Sequence, residues 1–279
     1  LSPATDYAQR VTSGEIVAGK LVRLACARHL RDLEHGHERG LHFDDDAAQY
    51  AIDFFENVLK LTQGEFADKP FILQPFQQFI TGSLFGWKTE DGFRRFRTAY
   101  IEQAKGQGKT PWAAGVGLFG LMEDGEAGAE IYAAAVTRDQ AKILFSDAEL
   151  MAKGSVDLSA ELEFTVNNIA HPKSNSFFRA ISSEARQLEG KRVHIALVDE
   201  LHEHPNDQVV TKMRKGTKNR RQAMIVEITN SGFDRNSICY QHHVMSQQVL
   251  EGIIEDDQWF AYVCNIDACG KGGHTNPVM

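Results

Sequence analysis

Tyr100-Ile101-Glu102-Gln103-Ala104-Lys105-Gly106-Gln107-Gly108-Lys109-Thr110 is the stretch on which the reading of this chain turns. An apolar strand end runs into a glycine-containing loop, and Gly-Lys-Thr then opens a helix. That order is the order of a phosphate-binding loop, in which backbone N–H groups and the N-terminus of the following helix together form an anion site. On this reading Gly106, Gln107, Gly108, Lys109 and Thr110 hold a nucleotide. Lys109 reaches the outer phosphates, and the Thr110 hydroxyl ligates Mg2+. The usual spacing asks for glycine at position 103, where this chain carries Gln103. A Gly-Lys-Thr triplet alone also reads as a plain turn at a helix start.

The second half of the signal is Val193-His194-Ile195-Ala196-Leu197-Val198-Asp199-Glu200. It is an apolar run of the kind buried inside a parallel sheet, ending in two adjacent carboxylates. Asp199 is placed to hold the metal shell, and Glu200 to orient or deprotonate an attacking water. An acidic strand end that faces solvent would look the same in isolation. The two halves occur in the right order, each at a strand end, and together they point to nucleoside triphosphate hydrolysis with Mg2+.

The chain has 279 residues, 42% hydrophobic and 24% charged, which suits one large α/β core with a smaller appendage. No apolar run approaches the roughly 20 residues of a membrane span. The start has no signal-peptide pattern. Cys26, Cys239, Cys264 and Cys269 are few and scattered, which fits a reducing compartment. A net charge of −8 does not by itself advertise nucleic-acid binding. The chain opens on Leu1, so an upstream piece is expected to be missing.

Apolar spacing predicts helices over 14–31 and 44–61, within a helical arm spanning 1–65. From 66 to 232 strands and helices alternate. Strands are expected at 97–101, 131–136, 177–181, 193–198 and 223–229, and helices at 109–122, 138–153 and 208–217. Such alternation implies a mainly parallel sheet with helices on both faces and ligands at the carboxyl ends of its strands. Gly115, Gly117 and Gly120 weaken the first of these helices, so close packing on the sheet is expected to compensate. A small lid at 233–266 would hold a helix over 237–251 and a strand over 259–266. Residues 267–279 read as a linker.

With these residues in view, the chain resembles the ATPase domain of the large terminase subunit of tailed bacteriophages, from about Phe71 to Asp267. Leu73-Gln74-Pro75-Phe76-Gln77 is similar to the family's adenine-side motif, with Gln77 reading the adenine edge. The family's phosphate loop often lacks the first glycine and carries a basic residue ahead of Gly-Lys-Ser/Thr, as Gln103 and Lys105 do here. Val136-Thr137-Arg138-Asp139-Gln140-Ala141 and Asp199-Glu200-Leu201-His202-Glu203-His204 also match family segments. So do Lys215-Gly216-Thr217-Lys218-Asn219-Arg220 and Trp259-Phe260-Ala261-Tyr262. Thr229-Asn230 takes the place of the coupling element that senses the γ-phosphate, although the family usually has a second Thr where Asn230 stands.

The resemblance implies a P-loop NTPase of the RecA-like ASCE type. Lys105 would add charge beside the γ-phosphate, and Glu200 and Lys109 would act in hydrolysis. A neighbouring subunit would supply an arginine, for which Arg138, Arg179, Arg186 and Arg192 are candidates. It also implies a homo-oligomeric ring acting on double-stranded DNA with a portal protein and a small terminase subunit, in the host cytoplasm and away from membranes. A nuclease domain expected of the full-length family would follow the linker.

Lys212, Arg214, Lys215, Lys218, Arg220 and Arg221 lie together with no acid between Gln208 and Met224, and could contact DNA phosphates or simply balance an acidic protein. Cys264, Cys269 and His274 are poorly spaced for zinc, and His202 and His204 lack a third ligand. Two other readings compete. One is a DExH-type helicase, suggested by Asp199-Glu200-Leu201-His202 and Gln77. The other is a nucleotide-binding, portal-docking module without hydrolysis, against which Lys109, Asp199 and Glu200 argue.

Overall fold

The computed structural model describes residues 1–182 and 190–265. In chain order the elements are α1 (Pro3–Thr12), α2 (Lys20–His35), β1 (Leu41–Phe43), α3 (Asp45–Asp53), α4 (Pro75–Gly86), β2 (Trp87–Thr89), β3 (Thr98–Glu102), α5 (Lys109–Met122), β4 (Glu130–Ala135) and α6 (Arg138–Gly154). They continue with α7 (Val156–Glu161), β5 (Glu163–Thr165), β6 (Asn168–His171), β7 (Ser176–Ser182), β8 (Val193–Val198), α8 (Gln208–Gly216), β9 (Met224–Thr229), α9 (Ile238–Leu250) and β10 (Trp259–Val263).

The large sheet has the order β10-β3-β9-β8-β4-β7-β6-β5. From β10 to β7 every neighbouring pair is parallel, and β6 and β5 add an antiparallel hairpin at one edge. One strand, β9, lies between the strand that leads into the glycine loop and the strand that ends in the two acids. Parallel pairing puts the ends of β3, β9, β8 and β4 on one edge of the sheet. The loop at 103–108, Asn230, Asp199-Glu200 and Thr137-Arg138 therefore gather there.

Helix α5 is apolar on every side and buries eleven of its fourteen residues, as a helix inside the layers must. Its glycines permit close approach. A Cβ on Gly117 would stand 2.6 Å from the Phe178 ring and 2.9 Å from Leu197 Cδ1. The packing expected to offset the weak helix propensity is present. Thr137 and Gln140 form a reciprocal cap at the start of α6, each side chain accepting from the other residue's backbone N–H at 3.2 Å.

The N-terminal helices share the main hydrophobic core. The Tyr7 hydroxyl meets the Tyr262 hydroxyl at 2.7 Å, tying α1 to β10. Arg28 donates to the carbonyls of Trp259 and Asp256, each at 2.7 Å. Asp32, fully buried on α2, pairs with Arg95 at 2.7 Å and with Arg39 at 2.9 Å.

Several local expectations change. The segment expected as one helix over 14–31 begins at Lys20, because Gly14 is left-handed at φ 84° and Gly19 leads into the helix in extended form. A separate helix, α1, precedes it, with the Ser2 side chain as cap and Pro3 in its first turn. The helix expected over 44–61 ends at Asp53 and relaxes into a π-turn over Phe54–Val58, which buries both Phe54 and Phe55. The last strand stops at Val263, and Ile266 lies outside the described residues.

Candidate functional site

The loop after β3 closes on α5 with Gly106 at φ 88° and Gly108 at φ 71°, a left-handed backbone for which glycine is the natural residue. Gln103 stands where no glycine is needed. Its backbone N–H donates to the Thr229 carbonyl at 3.1 Å, so the ladder with β9 continues one residue past β3. The first amides of α5 have no acceptor within their own helix and face the loop.

Lys109 is 9% exposed and its ammonium is turned back on the loop. It donates to the carbonyls of Gln103 and Ala104, each at 2.9 Å, and to Asn230 Oδ1 at 2.7 Å. Burial lowers its pKa, with Glu200 and Asp199 opposing. Lys105 is exposed on the loop. Gln77 is buried beneath it. Its Oε1 accepts from Gln74 N–H at 3.0 Å, while its Nε2 lies 3.3 Å from where a Cβ on Gly108 would sit.

Asp199 is also buried, and its Oδ2 receives the Thr110 hydroxyl at 3.4 Å. Its Oδ1 accepts from Glu200 N–H at 2.8 Å. Burial, with the neighbouring Glu200 charge adding to it, pushes the Asp199 carboxyl up to about 6. A cation bound beside it would offset this penalty and favour the ionised carboxylate. Two adjacent ligands on an octahedral Mg2+ stand roughly 3 Å apart, close to the Thr110–Asp199 separation. The described residues contain no group of three or more His, Cys, Asp or Glu side chains that could hold a metal. A Mg2+ here would take its remaining ligands from phosphate and water, as that ion commonly does.

Glu200 adopts φ 47° and ψ 52°, a left-handed conformation that costs a non-glycine residue of order 1–3 kcal/mol and clusters at functional sites. The turn lifts its carboxylate off the strand, where it stays 37% exposed. Asn230 Nδ2 donates to Glu200 Oε2 at 3.4 Å, so one carboxamide stands between Lys109 and Glu200.

His202 is a residue to which sequence reasoning gave no site role of its own, having weighed it as a metal ligand and as one letter of the acidic motif. Its ring approaches Glu200 Oε2 at 3.3 Å and Glu203 Oε1 at 3.1 Å. Both its backbone N–H and its Nδ1 lie 3.1 Å from Thr229 Oγ1. Thr229 is fully buried and donates to the Asn230 carbonyl at 2.8 Å. His204 turns the other way, toward the Asp199 carbonyl at 3.2 Å. The adjacency of His202 to two acids was the available signal, but only the fold brings Thr229 to it.

The remaining candidates separate. Arg138 is exposed on the same edge as the loop. Arg179 lies in the middle of β7, donating to Asn168 Oδ1 at 2.7 Å with its guanidinium 4.1 Å from the Phe177 ring centre. Arg192 precedes β8, on the opposite edge of the sheet. Arg186 lies outside the described residues, as do Cys269 and His274. The basic group also sits toward that opposite edge, because α8 runs back along the sheet until Gly216 meets Val193. Arg214, Lys215, Lys218 and Arg221 are exposed there and Lys212 is half-buried. Arg220 differs from the others. It is a latch, pairing with Glu126 at 2.6 Å and donating to the carbonyls of Arg192 and Gly128.

The fold has known counterparts. The crystal structure of the HK97 bacteriophage large terminase superposes with a TM-score of 0.65 at 19% identity, over 77% of this chain and 43% of that one. That likeness speaks to the fold. The Thermus phage P74-26 large terminase ATPase domain, in a mutant form, aligns at a TM-score of 0.47 and 17% identity, over 59% of this chain and 75% of that one. Protein YmfN of Escherichia coli (strain K12) is 34% identical over 82 residues, 29% of this chain and 18% of its own length. The chain thus spans less than half the length of HK97 large terminase and about a fifth of YmfN. The family model for the ATPase domain of the terminase large subunit matches residues 75–247, well over half the chain, and the chain belongs to that family.

Proposed function

We propose that this chain is the ATP-hydrolysing motor domain of a viral DNA-packaging terminase. The observation that carries the reading is the meeting of Lys109, Thr110, Asp199, Glu200 and Asn230 on one edge of the sheet, in a chain of the terminase ATPase-domain family. ATP would lie along the loop at 106–110, its phosphates received by loop amides and the helix N-terminus. Lys109 would exchange its loop carbonyls for phosphate oxygens. Thr110 and Asp199 would hold Mg2+, which when bound neutralises phosphate charge. Glu200, lifted by its left-handed turn, would accept a hydrogen bond from water lined up for in-line attack. Thr229 and Asn230 would report the γ-phosphate to the rest of the chain. Gln77 would read adenine through its Nε2, its Oε1 being engaged by the helix cap. Lys105 would add positive charge at the loop tip.

Completion of the site by an arginine from a second copy fits the exposed position of Arg138 beside the loop, and would contribute about 10³–10⁵ in rate. Double-stranded DNA would meet Lys212, Arg214, Lys215, Lys218 and Arg221 through phosphate contacts, with Arg220 holding the turn that presents them. A portal protein and a small terminase subunit are the partners this role calls for. The setting would be the host cytoplasm during virion assembly, and no described helix is long and apolar enough to cross a membrane. We further assign 1–65 as a helical arm, 66–232 as the ATPase core, 233–266 as a lid and 267–279 as a linker.

The test is ATP hydrolysis across a protein concentration series, with and without double-stranded DNA, beside Lys109→Ala and Glu200→Gln. Turnover that rises more than linearly with concentration and vanishes in both variants supports a motor completed in trans. Unchanged turnover in Glu200→Gln removes the assigned base. Stimulation by single strands alone would favour a helicase.

A further inference from the structure

We propose that Glu102 is the positioning residue that joins the nucleotide loop to α9, acting through Ser231 and His243; this rests on the ATPase reading above. Glu102 ends β3 and leads directly into the loop, yet the residue is only 3% exposed. Its carboxylate is held by three donors from different places. Tyr100 Oη and His243 Nδ1 meet Oε2 at 2.7 Å and 2.8 Å, and Ser231 Oγ meets Oε1 at 2.8 Å. Burial alone would raise the pKa of this carboxyl, but His243, Tyr100 and Ser231 outweigh it and hold the group below its ordinary value. The backbone is fixed as well, with Cys264 N–H donating to the Glu102 carbonyl at 2.8 Å.

Ser231 follows Asn230 in the chain, and Asn230 holds Lys109. When Lys109 turns to phosphate, Asn230 loses that partner and can reorient. Displacement at Asn230 passes through one peptide unit to Ser231. Ser231 then either carries the Glu102 carboxylate with it or leaves a buried carboxylate oxygen unpaired, which is costly. The other carboxylate oxygen is on His243, so the displacement reaches α9.

Helix α9 has a fixed point beside this joint. His242 pairs with Glu227 Oε2 at 2.6 Å, in the centre of β9. Consecutive histidines thus attach one helix to adjacent strands, one at a buried mid-strand carboxylate and one at the strand end that opens the loop. Movement at Glu102 relative to Glu227 would pivot α9. Ser246 on the same helix receives Trp259 Nε1 at 3.0 Å, which carries the pivot to β10.

The test is amide hydrogen exchange of 238–250 with and without ATPγS and Mg2+, in the wild type, Ser231→Ala and Ser231→Thr, at matched occupancy fixed by calorimetry. Ser231 is exposed, so both variants should fold, which a cooperative melt verifies, with Ser231→Ala melting lower than Ser231→Thr because Glu102 Oε1 loses its donor. The wild type should change its α9 exchange on binding. Ser231→Ala should bind within about twofold of wild type, lose the α9 response and lose about tenfold in kcat. Ser231→Thr, which keeps the hydroxyl, should restore both. An α9 response in Ser231→Ala equal to wild type overturns the proposal, as does a wild type that binds ATPγS without any α9 response. A wild type that does not bind ATPγS overturns the ATPase reading, and this proposal with it.

Discussion

The Lys109 ammonium lies 2.7 Å from the Asn230 carboxamide oxygen, although the two residues are far apart in the chain, one opening α5 and the other following β9. The residue that would grip phosphate is therefore held by the residue that would sense it. Asn230→Ala removes one of three acceptors around Lys109 and the Nδ2 contact to Glu200. ATP affinity should change less than about threefold while kcat falls about 10- to 100-fold, the usual scale for a lost positioning contact. Equilibrium binding beside single-turnover hydrolysis separates the two effects, and an equal loss in both would show that Asn230 serves binding alone.

Asp199 should oppose the stability of the nucleotide-free chain. Its pKa is raised to about 6, so the folded state disfavours the ionised form. Stability is full below the unfolded carboxyl value and declines as pH rises through about 6. Asp199→Asn should stabilise the chain at pH 7 by about 1–3 kcal/mol and raise Tm by several degrees. The gain should shrink at pH 5, where the native carboxyl is already largely protonated. The same variant should lose Mg2+-dependent hydrolysis. A gain independent of pH would point to packing as its source.

His243 gives the opposite sign. Its bond to Glu102 raises its pKa, so its contribution is complete below the ordinary imidazole value and fades as pH rises through the raised one. Glu102, held low, loses its contribution only on acidification below the ordinary carboxyl range. Subtracting the Tm–pH curve of His243→Gln from that of wild type should leave a difference that declines as pH rises above the ordinary imidazole value. A flat difference would mean the pair does not titrate with folding.

The ring of His202 ties Glu200 to Thr229, so His202→Ala should lower kcat about tenfold with little change in KM. Steady-state kinetics decide this. A rise in KM at constant kcat would move His202 into nucleotide binding.

Gly117→Ala should destabilise the chain by about 1–3 kcal/mol, as overpacking of a full core does. The added methyl would stand 2.6 Å from the Phe178 ring and 2.9 Å from Leu197, both fully buried side chains that fill the space between α5 and the sheet. Urea denaturation reads the loss directly, and an unchanged midpoint would show that the layer yields more readily than its packing implies.

Local chemistry made much of this molecule legible in advance. The loop at 103–110 was readable because left-handed turns favour glycine and a helix start favours anions. The acidic strand was readable because a buried parallel strand leaves an uninterrupted apolar run ending where ligands bind. Helix α5 was readable over its full length because it is apolar throughout. Less legible were α1, whose signal is one serine and one proline, and the β5–β6 hairpin, whose strands are too short to show a period. Arg220 looked like its basic neighbours because charge alone does not distinguish a solvated side chain from one latched to Glu126.

The sequence by itself determined the type of fold and the alternation of strands and helices through its core, and it supplied the residue types proposed to grip phosphate, hold Mg2+ and activate water. Those follow from short-range preferences and from periodicity, which are written along the chain. Only the tertiary structure decided that β9 lies between β3 and β8, and with it that Asn230 reaches both Lys109 and Glu200. It likewise decided that His202 clasps Thr229 and that Glu102 gathers Ser231 and His243. Contacts between residues distant in the chain depend on which strands neighbour each other, and strand order is set by how the layers close over the core.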